Sequence, residues 1–323
     1  MKLVRYRADG NDARLGLLCN GGKSVGDLAA AYDRKTGSGS GARLFPDDVA
    51  GWLRSGEEGR AALAEAADYL AAGDAGDLIS ALDTVSLEAP IRPPKMIAVG
   101  RNYSEHMAEM RGHEITEGPT VPSAWIKANS CICGPNDNIV KPHMTKMLDY
   151  ETELSLVIGT RCKDVPEDRA YEVIAGYTIV NDISARDVAR IERKEGNQLL
   201  GKMFDTFAPM GPCFVTADEI ADPMDMPLRT RVNGESRQNS TTGNMIWNIP
   251  QLISYLSQMT LDIGDVILTG TPSGVASGHK VEGENWFLQD GDILESELEG
   301  IGTMRNRIVD DSERPRSWQW KNG

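Results

Sequence analysis

Asp149-Tyr150-Glu151-Thr152-Glu153-Leu154-Ser155-Leu156-Val157-Ile158-Gly159 is the stretch on which the fold turns. With a period of two, Leu154, Leu156 and Ile158 fall on one face of a strand and Glu151 and Glu153 on the other. Two carboxylates one step apart on a strand face repel each other unless positive charge lies between them. A divalent cation satisfies that requirement, and carboxylate oxygens suit Mg²⁺, Mn²⁺ or Ca²⁺ better than Zn²⁺. An edge strand carrying two solvated acids is the alternative on this stretch alone.

Working outward, Tyr177-Thr178-Ile179-Val180-Asn181-Asp182 reads as a second strand with a carboxylate at its end, just before a helix that opens near Ser184. Asp182 is placed either to complete an acidic site with Glu151 and Glu153 or to cap that helix. Further strands are expected at Met96–Val99, Trp125–Lys127, Cys213–Thr216, Leu228–Val232, Val266–Thr269, Ile293–Leu298 and Thr303–Ile308. One helix follows an Asn248 cap, with Pro250 in its first turn and Leu252, Ile253, Leu256 and Met259 as its stripe; another covers Asp187–Gln198. Many short strands with one or two helices point to an α+β, mostly β chain with a closed or rolled sheet.

Residues 1–90 have a different texture and read as a small α/β accessory domain, ending at the Ala89–Pro94 linker; 91–323 read as a second, mainly β domain. A helix is expected from a Ser24 cap through Leu28 and Tyr32. Another runs from Asp47 to about Ala72, whole or broken near Gly56 and Gly59.

Hydrophobic content of 40% and charged content of 25% describe an ordinary globular chain. The net charge of −14 argues against nucleic-acid or anionic-membrane partners. No segment approaches about 18 consecutive apolar residues, and the N-terminus lacks a signal-peptide run, so the expected compartment is the cytosol. Five scattered cysteines fit reduced thiols, and Cys131, Cys133 and His143 match no zinc spacing.

Three further segments carry chemistry. In a helix, His106 and Glu109 face each other, either as a water-activating dyad or as a surface pair. Gly201-Lys202-Met203-Phe204-Asp205-Thr206-Phe207 places a lysine beside an aromatic-flanked acid. Thr269-Gly270-Thr271-Pro272-Ser273-Gly274 has the small residues that let backbone N–H groups approach an anion, or form an ordinary turn.

Taken in order, Gly100-Arg101-Asn102-Tyr103 with His106 and Glu109, Asp149–Leu154, Asn181–Asp187, Gly201–Phe207 and Thr269–Gly274 resemble the fumarylacetoacetate hydrolase family from about Pro94 to Ile308. The resemblance implies a mixed β-roll, a homodimer, and Mg²⁺ or Mn²⁺ held by Glu151, Glu153 and Asp182. It implies a small-molecule 2-oxo or 2,4-dioxo acid as substrate, with His106 and Glu109 on a segment that closes over it. The polar stretch Arg101–Gly118, with Gly112 and Gly118 and few apolar anchors, is expected to be partly disordered without ligand. Lys202 takes a charge-stabilising role, and Arg101, Arg186, Gly270 and Thr271 are the expected substrate contacts. Many small members carry glutamine three residues after the arginine, where this chain has Ala189. The activity implied is hydrolysis of a carbon–carbon bond in an acylpyruvate or fumarylpyruvate-like acid. Decarboxylation or isomerisation of an oxaloacetate or 2-hydroxy-diene-dioate type acid is the alternative, and a non-catalytic metal–acid binder the third possibility.

Overall fold

The computed structural model describes residues 1–8, 10, 12–72, 75–112 and 118–311. Its centre is Thr152–Ile158, which pairs antiparallel with Ile174–Asn181 on one side and Val266–Leu268 on the other. Every residue of the strand is buried. Leu154, Leu156 and Ile158 join one apolar cluster with Ile97, Ile179 and Ile267, whereas Val157 belongs to a second cluster. An edge strand with solvated acids is therefore excluded.

The large sheet runs in the order Ile79–Ala81, Ser24–Asp27, Arg14–Cys19, Lys2–Ala8, Ala208–Thr216, Ile174–Asn181, Thr152–Ile158, Val266–Leu268, Met96–Gly100 and Ser123–Lys127. A second sheet of five strands, Glu235–Thr241, Pro227–Val232, Ile293–Leu298, Gly302–Asp310 and Ile139–Lys141, completes a mixed α+β fold. Its hairpin turns at Asn233 and Gly234, both with positive φ (53° and 82°), which gives the twist that antiparallel strands favour.

The N-terminal segment adds an α/β region. Lys2–Ala8 pairs with Ala208–Thr216, so one sheet continues from it into the later strands. Trp52 meets Phe214 edge to face, with ring centroids 6.3 Å apart. Ala89–Pro94 is packed rather than loose: Ile91 is fully buried and the Pro90 carbonyl accepts from the Val49 N–H at 3.0 Å.

Several local expectations shift. Ser24 opens a strand, because Ser24–Asp27 pairs with Arg14–Cys19; the helix Leu28–Thr36 begins after it, capped by Asp27 on the Ala30 N–H at 3.0 Å. The 47–72 stretch divides into Val49–Arg54 and Gly56–Ala71, broken where Gly56 takes a φ of 61°. Asn248 caps Ile249–Leu256 in a reciprocal pair with Gln251, but Met259 lies beyond that helix and is 42% exposed. The second helix is Arg186–Lys194, short of Gln198. Among the described residues no helix is long and apolar enough to cross a membrane.

Close strand packing leads directly to the acids. A Cβ on Gly176 would lie 2.0 Å from the Val215 carbonyl oxygen. Gly176→Ala must therefore push apart the strand that delivers Asp182, costing about 1–3 kcal/mol of stability, as overpacking does. Urea unfolding checks this; an unchanged midpoint would show that the two strands are not so close.

Candidate active site

Two backbone contacts bring the strands' acids together. The Asp182 N–H donates to the Glu151 carbonyl at 2.8 Å, and the Glu151 N–H donates to the Asn181 side chain at 2.8 Å. Asn181 is itself fixed by donating to Thr152 Oγ1 and Ser296 Oγ. As a result, Glu151, Glu153 and Asp182 are all buried, with candidate ligand oxygens within 4.8 Å of one another. Asp182 caps no helix; it faces cations.

Lys202 Nζ donates to Glu151 Oε2 at 2.5 Å and to Asp182 Oδ2 at 2.6 Å. Glu192 holds this lysine's short helix, Leu200–Met203, by accepting the N–H groups of Leu199, Leu200 and Gly201. Lys127, which the sequence reading passed over, donates to Asp182 Oδ1 at 2.6 Å and to the Lys202 carbonyl. Arg186 bridges Asp149 and Glu151. Asp149, also unforeseen as a site residue, accepts the N–H groups of Ala276 and Ser277 and so ties the strand to the 274–277 loop.

The three acids are not equivalent. Burial works to raise the Glu151 pKa, but Arg186 and Lys202 outweigh it and hold the carboxyl well below the usual range. Among the described residues, Glu153 pairs with no cation and accepts only the Gly270 N–H at 2.7 Å. Burial, then Asp182 and Glu151, push its pKa well above the ordinary value. Four buried carboxylates (Asp149, Glu151, Glu153 and Asp182) face three buried cations (Lys127, Arg186 and Lys202). The uncompensated charge sits on Glu153, where a bound cation would relieve it. The acidic triad thus fits a divalent metal.

Beside the triad lies a cavity of about 230 Å³. Arg101, His106, Glu151, Glu153, Arg186, Lys202 and Thr271 line it, as do Trp125, Arg193 and Gln198, which the sequence reading did not single out. Lys202 Nζ lies 5.4 Å from the centre of the Trp125 ring. Gly270 does not line the cavity; the anion its N–H meets is Glu153, and its φ of 95° with Asn102 Cβ close by leaves no room for a side chain. Ala189 is buried against Gly201 and does not line the cavity either.

His106 and Glu109 lie on the helix Ser104–Arg111, and His106 is buried at the cavity wall rather than on the surface. Nδ1 of His106 is 3.7 Å from Glu109 Oε2, too far for a hydrogen bond. Both Glu109 oxygens instead accept the Gly274 N–H at 3.1 Å. Within the expected closing segment, Arg101–Gly118, the structure places this helix at Ser104–Arg111; residues 113–117 lie outside those described. Asn102 anchors its start, donating to the Trp247 and Thr269 carbonyls and accepting from the Trp247 N–H.

Comparison with known proteins places the chain in a family. Residues 95–309 match the family described as fumarylacetoacetate (FAA) hydrolase C-terminal. The mitochondrial oxaloacetate tautomerase fahd2 of Xenopus laevis is 38% identical over 313 residues, which is 96% of this chain and 90% of that protein. The fumarylacetoacetate hydrolase of psychrophilic Exiguobacterium antarcticum superposes with a TM-score of 0.75 at 35% identity, covering 96% of this chain and 99% of the other. Maleylpyruvate hydrolase from Sphingobium sp. SYK-6, solved with manganese(II) and pyruvate, gives 0.71 at 28% identity over 96% and 99% of the two chains. With the family pattern covering more than half of its length, the chain belongs to the fumarylacetoacetate hydrolase family.

Proposed function

We propose that the protein is a Mg²⁺- or Mn²⁺-dependent hydrolase that cleaves a carbon–carbon bond in a 2,4-dioxo acid. The observation that carries this reading is the buried Glu151, Glu153 and Asp182 triad, of which Glu151 and Glu153 line the same cavity as His106. When bound, the ion supplies a Lewis acid that favours negative charge on the carboxylate and 2-oxo oxygens of the acid. Lys202 adds a second fixed positive charge for that oxyanion. His106 takes a proton from water, whose oxygen attacks the distal carbonyl carbon. The bond from that carbon to the methylene carbon breaks, its electron pair stays on the methylene carbon, and a proton returns there. A carboxylic acid and a 2-oxo acid leave. Glu109 supports the imidazolium through charge at 3.7 Å. A homodimer is proposed as the working form, since Ile126, Leu199 and Leu200, next in sequence to the cavity residues Trp125 and Gln198 or close to them, are exposed and suit coverage by a second copy.

Isomerisation or decarboxylation of a related 2-oxo acid is the second reading. It is favoured by the likeness to an oxaloacetate tautomerase and by the commitment of Glu109 to Gly274 instead of His106. Both chemistries need the ion, so a chelator should abolish turnover and Mg²⁺ or Mn²⁺ restore it.

Substitutions of the acids should separate by sign. Glu151→Gln leaves Arg186 and Lys202 short of a buried partner, so the metal-free protein should lose about 3–5 kcal/mol, as broken buried pairs do. Glu153→Gln removes a charge that burial opposes, so metal-free stability should be kept or gained. Both should lose stabilisation by Mn²⁺. Thermal melts in chelator and in Mn²⁺ decide it, and Mn²⁺ stabilisation that persists in both variants would sink the triad.

The two reactions separate at the histidine. His106→Ala should remove about 10²–10⁴ of the hydrolytic rate, with Glu109→Gln losing less, because it keeps the shape of the acid. Oxaloacetate decarboxylation needs no attacking water and should survive His106→Ala far better. Equal hydrolysis of dioxo acids by His106→Ala and the wild type would put the second reading first.

A further inference from the structure

The loop at 273–280 runs alongside Ser104–Arg111, the helix that carries His106. Ser273 Oγ donates to Glu105 Oε2 at 3.3 Å, and the Gly274 N–H to the Glu109 carboxylate at 3.1 Å. Ser277 Oγ donates to Met110 Sδ at 3.3 Å. Lys280 Nζ donates to the Glu109 carbonyl at 3.4 Å, where a cation suits the C-terminal end of a helix. The fit is close as well, since a Cβ on Gly278 would land inside the Glu109 carboxyl group. The contacts made by the loop's side chains are long, so none of them holds the helix strongly by itself.

Past Gly278 the chain is fastened by stacked side chains. The His279 imidazole lies flat on the Trp286 indole, with ring centres 3.6 Å apart and planes 5° from parallel. Arg237 packs on the same indole, its guanidinium carbon 4.5 Å from the ring centre. Glu284 accepts from His279 Nε2 at 2.7 Å and from Trp286 Nε1 at 3.3 Å, and so ties the two rings together. Arg237 Nη2 pairs with Glu235 at 3.0 Å, while its buried Nε has no hydrogen-bond partner among the described residues; the ring takes the place of an acceptor. Arg237 belongs to the strand Glu235–Thr241, and its neighbour Gln238 donates to Thr271 Oγ1 and the Pro272 carbonyl. One strand thus holds the chain before it reaches the helix and again after it leaves. Asp149 holds the middle of the loop at Ala276 and Ser277, which leaves its outer end to the stack.

We propose that Arg237, Trp286 and His279 form a clasp on the outer end of this loop, and that the clasp governs how often the His106 helix moves away from the cavity. With the stack closed, Gly278 and Lys280 bear on the end of the helix. With the stack parted, the helix keeps only its inner contacts with Ser273, Gly274 and Ser277. His106 is buried at the cavity wall, so movement of its helix opens the site. None of the three stacked residues lines the cavity, so the clasp acts on access and leaves the acids untouched, whichever reaction the site performs. An aromatic pair and a cation over a ring each shift an equilibrium severalfold, and together about tenfold.

Amide hydrogen exchange on the full-length protein tests this, under conditions where exchange follows the opening equilibrium. Trp286→Ala removes both ring contacts. The helix amides from Met107 to Gly112, which bond within the helix, should then exchange about tenfold faster, with those of the central strand Thr152–Ile158 unchanged. Trp286→Phe keeps a ring and should restore most of the protection. His279→Ala removes one ring contact and should speed the same amides about threefold; it reads the clasp where Trp286→Ala fails to fold. Helix exchange that stays at the wild-type rate in either alanine variant would overturn the clasp. Acceleration of the same size in Thr152–Ile158 would do so too, since it reports loss of global stability and not release of the helix.

Discussion

Repulsion among buried carboxylates is the constraint on which this structure rests. Glu151, Glu153 and Asp182, all buried, converge within 4.8 Å of one another, where the penalty for an uncompensated ion is several kcal/mol. The chain meets it with Lys127, Arg186 and Lys202, each anchored from a different element. Glu151 and Asp182 are satisfied by these cations and Glu153 is not, so the imbalance is confined to one residue. That residue is the one beside Gly270, whose N–H is its sole partner in the described structure.

Holding such a cluster requires a rigid frame. The central strand is flanked on both sides, and Lys2–Ala8 extends the same sheet into the N-terminal region. Asn181 and Asn102 are buried polar hubs that each join groups from two separate segments, and the buried Glu192 gathers three consecutive N–H groups of one segment. Polar contacts of this kind position side chains in a way that apolar packing, which is indifferent to rotation, does not.

Much of this was legible from local pattern. The period of two across Leu154, Leu156 and Ile158 gave the strand and its faces, and the acid at the end of Tyr177–Asn181 marked where a second strand would contribute. The Asn248 cap and the Asn233-Gly234 turn follow from backbone chemistry that acts over four residues. Lys127 was hidden because its strand reads Trp125-Ile126-Lys127, and nothing local tells a lysine paired to a distant Asp182 from one that reaches solvent. Arg193 was hidden because on a strongly charged helix it looks like any other exposed residue, and only the folded chain shows that it lines the cavity. Ser24 misled because a cap residue and a strand residue look alike until Arg14–Cys19 is known to lie beside it.

The contact between Glu109 and Gly274 makes one carboxylate serve two masters. While both its oxygens receive the Gly274 N–H, the helix bearing His106 is latched onto the loop that Asp149 also grips through Ala276 and Ser277. Turning that carboxylate toward the imidazole means loosening the latch. The two contacts are therefore competing uses of a single side chain, and the loop that one of them grips is also held by Asp149, the acid that pairs with Arg186 beside Glu151.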